Sequence, residues 1–281
     1  MGLDTAVAGL RLRSISDLVH QLFLIITPNW VILALTAGAA AYAAAPGVQV
    51  VARTVPVPMA GLILTALLFL ALSNADVKYM WWAGWNDAPA GAAIDDALAG
   101  IYVTFGYHQL INLRPFFREE RARRADAPTW AAYGMTVFVL GAAMVITLGT
   151  LRPWGMVHFT YPVATVMRLI RVSEFFISRI GVAVLIVWTA VSFTYLTVRY
   201  WGQAITCSDL VGLSEDKVSY FVYPMAAASV LVAAYGLPIL TAQEQLMHHF
   251  LDPVGVCLEA GLPLLLLAVA LVRGRPRRGQ G

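Results

Sequence analysis

The chain has 281 residues, 59% hydrophobic and 12% charged, with a net charge of +3 and a mean hydropathy of +0.72. Soluble domains hold roughly 45–50% apolar residues, so this composition excludes an ordinary soluble globule. The small positive charge sits in short segments and gives no basic reading element for nucleic acid. An integral membrane protein is the class that remains.

Residues 1–13 end in Arg11 and Arg13 and place no charged region before an apolar core, so they do not read as a cleaved signal. Seven apolar stretches follow, each near the roughly 20 residues needed to cross a hydrocarbon core: 28–45, 57–75, 97–113, 129–150, 180–203, 218–240 and 254–272. All are expected to be helices, because hydrocarbon offers the backbone no hydrogen-bond partner and the alternation of a β-barrel is absent. No internal repeat, heptad array or low-complexity tract interrupts the series.

Polar residues inside these stretches are the candidates for function. Just past the second stretch, Trp81, Trp82 and Trp85 read as an interfacial aromatic anchor. The third stretch, "IYVTFGYHQLINL", carries Thr104, Gly106 and His108; on residue type alone Gly106 is a packing glycine of a continuous membrane helix. In the fifth, Trp188, Thr189 and Ser192 share one side at helical spacing. For Thr189, Ser192, Thr194 and Thr197 the simpler explanation is hydroxyls bonding to carbonyls one turn back. "EQLMHH" places Glu244 and His248 four apart, with His249 and Asp252 near; a polar loop explains them more simply than a metal site. Glu259 in the last stretch lies close enough to the interface to be a hydrated carboxylate.

Orientation follows from arginine placement. Arg114, Arg118, Arg121, Arg123 and Arg124 follow the third stretch and Arg273, Arg275, Arg277 and Arg278 close the chain, whereas 241–253 contains no Lys or Arg. Both basic segments are expected in the cytoplasm, where they also meet anionic lipid. Counting backwards puts the N-terminus outside. Cys207 and Cys257 then fall on opposite sides of the membrane, so no disulfide framework is implied. Nucleophile elbows, metal-binding His-Glu-x-x-His, phosphate loops and paired Cys motifs are absent from the sequence, so no enzyme chemistry, cofactor or metal is expected.

Three stretches together resemble one family. "LFLIITPNWVILALTAGAAAYAAAPGVQVVARTV" looks like the Thr-Pro…Tyr…Gly…Ala-Arg run of the fourth span in the membrane-embedded B subunits of spore germinant receptors. "YPVATVMRLIRVSEFFISRIGVAVLIVWTAVSF" is similar to its Tyr-Pro…Arg…Phe…Arg…Trp run before the eighth span, and "GLPLLLLAVALVRGRPRR" to its last span and basic tail. The likeness is collinear from about residue 11 to 278. It implies an all-α fold of the amino acid, polyamine and organocation transporter superfamily, ten spans in two inverted repeats. This chain would hold spans four to ten as one multi-pass domain: 1–76 the end of the first repeat, 97–273 the second, 274–281 a cytoplasmic tail. Three absent spans would account for the outside N-terminus.

The resemblance also changes the reading of Gly106. In this architecture the first and sixth spans are broken at mid-membrane and their ends hold the substrate. The third stretch here would be the sixth span, with Gly106 the break and Thr104, Phe105, Tyr107 and His108 around it; Trp188, Thr189 and Ser192 would complete the ligand site. His108 stands where family members often carry an acid. The implied role is a subunit that senses a small nutrient such as an amino acid in the inner spore membrane, with A and C receptor subunits as partners. The alternative is an amino acid permease of the same superfamily.

Overall fold

The computed structural model describes residues 2–22, 24–73, 119–159, 161–169, 180–214, 217–235, 254, 257 and 261–273. Among these residues the regular structure is entirely helical: α1 (Gly2–Leu22), α2 (Asn29–Ala44), α3 (Val48–Thr54), α4 (Pro56–Ser73), α5 (Glu119–His158), α6 (Pro162–Leu169), α7 (Ile180–Val211), α8 (Ser219–Tyr235) and α9 (Leu262–Arg273). Two compact units are formed, Met1–Asp87 with Ile111–Gly236, and Ala88–Leu110 with Leu237–Gly281. The first holds α1 to α8. The second is described through α9 and the isolated positions Val254, Cys257 and Gly261.

Helices α2, α4, α5, α7, α8 and α9 fall on six of the predicted apolar stretches. The stretch 97–113 lies outside the described residues. Gly134–Arg152 within α5 is long and apolar enough to cross a membrane, and α2 and α8 are shorter apolar helices. Two helices extend past their stretches. Helix α7 continues to Val211, where Gly212 at φ 71° ends it. There the Leu213 amide donates to Ser208 O at 2.9 Å and the Gly212 amide to Asp209 O at 3.1 Å, the paired bonds of a Schellman cap that only a residue tolerant of positive φ closes without strain. Helix α5 breaks its regular course at Arg152, φ 64° and ψ 166°. Pro153 follows, and a proline ring disfavours the helical conformation of the residue before it.

The largest difference from the sequence reading is α1. Residues 2–22, which the apolar count passes over, form a helix packed against α8, α2 and α7. Its charges explain why it was passed over: Asp4, Arg11, Arg13, Asp17 and His20 break up the apolar run. Yet Ala8, Leu12 and Ser16 are completely buried on one face, at the spacing that lines up residues along a helix. The α1–α8 contact is close because residue 9 has no side chain. A Cβ on Gly9 would stand 2.6 Å from Val232 Cβ and 2.8 Å from Ser229 O, nearer than atoms approach.

The centre of this unit is an apolar core of Ala8 and Leu12 from α1, Ala37, Ala40, Ala41 and Ala44 from α2, Leu196, Tyr200, Trp201 and Ala204 from α7, and Val222, Ala226 and Ala233 from α8. Alanines at 37, 40, 41 and 44 make one stripe of α2, the small-residue packing by which membrane helices approach closely. Polarity is distributed as a bilayer requires. Thr147, Thr194, Thr197, Arg199, Gln203, Ser208 and Ser229 are buried, while Leu35, Leu64, Phe138, Ile186, Leu231, Leu264 and Leu271 are exposed. A soluble protein rarely exposes so much large apolar surface; against lipid tails it carries no penalty.

Candidate functional site

Two polar networks fasten α1 into the unit. At the α1–α2 turn, the Ser16 hydroxyl donates to Asn29 Oδ1 and the Asn29 amide donates to Asp17. Asp17 also takes the Arg13 guanidinium at 2.9 Å, and a second nitrogen of Arg13 donates to Ala233 O on α8 at 3.2 Å. His20 Nδ1 lies 2.9 Å from Thr27 O and 3.1 Å from Leu24 O, closing the turn. Just before α6, the Tyr161 hydroxyl donates to Ser14 O at 3.4 Å. Thr27, Asn29 and Tyr161 all belong to the Thr-Pro and Tyr-Pro runs singled out in the sequence, and in the structure all three are spent on holding α1.

The second network lies where α1, α7 and α8 meet. Asp4 of α1 forms an ion pair with Arg199 of α7, whose side chain is only 5% exposed against 22% for Asp4. Arg199 also stands over the Tyr195 ring, 5.1 Å from its centroid, a cation–π contact strengthened by desolvation. One turn further along α7, Gln203 is 2% exposed. Thr5 Oγ1 lies 3.4 Å from Gln203 Oε1 and 3.9 Å from Met225 Sδ on α8. The Gln203 amide nitrogen is fully buried and has no hydrogen-bond partner. Close by, the Tyr200 hydroxyl and Ser229 Oγ are 2.6 Å apart, and Ser229 donates to Ala226 O at 2.8 Å. A buried charge pair beside a buried amide that lacks an acceptor is costly in a membrane-embedded interior and is by default a functional pointer.

Of the residues singled out beforehand, Thr104, Phe105, Gly106, Tyr107 and His108 lie outside the described residues, as do Trp81, Trp82, Trp85, Glu244, His248, His249, Asp252 and Glu259. Trp188, Thr189 and Ser192 are half-buried on α7. The Ser192 hydroxyl donates to Trp188 O at 2.9 Å, and Thr194 and Thr197 bond likewise to Ala190 O and Phe193 O at 3.0 and 2.9 Å. These three hydroxyls thus bond back to their own helix. The same face of α7 continues through Trp188, Ser192, Tyr195, Arg199 and Gln203, spaced four, three, four and four, and so leads from the sequence candidates into the Asp4–Arg199 cluster.

Sequence reasoning missed Asp4, Arg199 and Gln203. Arg199 carried a signal, an ionisable residue inside the apolar stretch 180–203 with a glutamine one turn on. Asp4 carried none until α1 was known to be part of the bundle. Cys207 is buried beyond that stretch, and burial pushes its thiol up, whereas Cys257 is exposed.

A family model described as "Spore germination protein", the spore permeases, matches residues 5–236. No curated protein and no solved structure matches the chain.

Proposed function

Because the chain belongs to the spore germination protein family, we propose that it is the membrane-embedded, transporter-like subunit of a spore germinant receptor that senses a small nutrient such as an amino acid. The carrying observation is the extent of the family match, residues 5–236, which takes in α1 to α8 almost entire. The coarse class needs no proposal: this is a germination-related, permease-like membrane protein of α-helices. Its buried polar and exposed apolar side chains agree with that class.

In the finer reading, the helices are part of an inverted-repeat transporter fold with residues 97–273 as its second repeat. A break at Gly106, flanked by Thr104, Phe105, Tyr107 and His108, faces the ligand together with Trp188, Thr189 and Ser192. A and C receptor subunits are its partners, in the inner spore membrane. The test is a germination assay on spores whose gene for this chain is deleted and then restored as wild type or as Gly106→Leu. Restored response to an amino acid by the wild type, and loss in the variant at equal protein level, supports the reading. Full response by Gly106→Leu removes residues 104–108 from the site. Unchanged germination in the deletion strain removes the receptor role.

The description of the family as permeases favours a second reading, movement of an amino acid with a coupling ion. Ion-dependent uptake of labelled amino acid into vesicles containing the purified chain would favour it over pure sensing.

A further inference from the structure

We propose that Gln203, one turn along α7 from Arg199 and in contact with the Thr5 hydroxyl, is an occluded subsite for the carboxylate of a small amino acid. This rests on the amino-acid reading above but is a separate site: Gln203 lies about 16 Å along α7 from Ser192, too far for one small amino acid to touch both, and the sequence did not reveal it. Three observations carry it. The Gln203 amide nitrogen is fully buried without a hydrogen-bond partner, although the residue is 2% exposed. Buried donors are nearly always paired, and one left over marks a place where an acceptor belongs. Next, Thr5 Oγ1 contacts Gln203 Oε1 at 3.4 Å, which occupies the oxygen and leaves the nitrogen as the group on offer. Finally, Arg199, paired with Asp4, stands one turn away on the same helix, and a carboxylate is an acceptor-only group matched to guanidinium and amide donors.

The cluster also selects among carboxylates. Asp4 already balances Arg199, so a bare anion would add uncompensated charge to a buried place. A zwitterion adds none: its carboxylate meets Gln203 and Arg199 while its ammonium meets Asp4. The Tyr195 ring on Arg199 and the Met225 thioether on Thr5 offer apolar surface to a compact side chain. The partial exposure of Asp4 marks the side from which the cluster is reached.

The experiment uses the full chain in lipid nanodiscs and measures binding of L-alanine, L-leucine and L-glutamine, each against the amine left when its carboxylate is removed (ethylamine, 3-methylbutylamine and 4-aminobutanamide), which keeps the ammonium and has no acceptor in the carboxylate's place. Wild type is expected to prefer at least one amino acid over its amine. Gln203→Met preserves shape and removes the donor; it should lower affinity for that amino acid by about tenfold and leave the amine nearly unchanged. Thr5→Val, which frees the glutamine oxygen, should erode the same preference severalfold, and thermal melting checks that both variants fold. A structural role alone would weaken amino acid and amine together. If the wild type binds and Gln203→Met and Thr5→Val keep its preference for the amino acid, the subsite is wrong and the amino-acid reading survives. If the wild type binds none of the compounds, the amino-acid reading falls and the subsite with it.

Discussion

Single side chains decide how tightly α1 is held. Gly9 is the sharpest case, because an added methyl has Val232 and the Ser229 carbonyl in its way. Gly9→Ala is expected to cost about 1–3 kcal/mol by overpacking, read as a fall in melting temperature in detergent. Gly38→Ala, where nothing stands within 4 Å, is the control and should be neutral or slightly stabilising. The Asp4–Arg199 pair makes a second case. Asp4→Leu leaves a guanidinium buried beside α1 and should cost about 3 kcal/mol, whereas Asp4→Leu with Arg199→Leu should recover most of that loss. A double variant no more stable than Asp4→Leu would show that the pair does not govern this contact.

At the scale of elements, α1 depends on the turn that follows it. Asn29 accepts from Ser16 and donates to Asp17, joining the start of α2 to the end of α1. Asn29→Ala removes both bonds, at about 0.6–2 kcal/mol each between membrane helices, and is expected to make the 22–29 turn cleavable by added protease while the rest of the chain stays intact. Equal resistance of variant and wild type would contradict this. The same turn shows what was legible in the sequence. Helices α2 and the apolar part of α5 were readable because uninterrupted apolar residues announce themselves without reference to any partner. Helix α1 was not, since Asp4, Arg13 and Asp17 look like loop charges until Arg199, Ala233 and Asn29 are seen to receive them. The α7 candidates Trp188 and Ser192 were legible as a face, but not the lower end of that face. Gln203 gains meaning only from a buried amide left without an acceptor, and that depends on packing.

For the whole molecule, the distribution of polarity predicts behaviour. Apolar side chains outside and threonines, serines and Arg199 inside should make the chain insoluble without detergent or lipid. Arginine placement predicts its orientation. In a background of Cys207→Ser with Cys257→Ser, a thiol reagent that does not cross membranes, applied to intact cells, should modify Gln245→Cys and spare Glu120→Cys. The opposite pattern would invert the topology.

The alanine stripe of α2 bears on how such a molecule moves. Ala37, Ala40, Ala41 and Ala44 have no rotamers to freeze, so this face of α2 adds no side-chain entropy cost of its own when it seats against α7 and α8. Interlocked leucines would have to unlock and re-form at every step of one helix along another. A face of methyl groups is smooth on that scale and suits small sliding increments of one packed helix along another, the motion called shear. The mobility such a seam allows runs along the helix axis, while its close approach resists separation sideways.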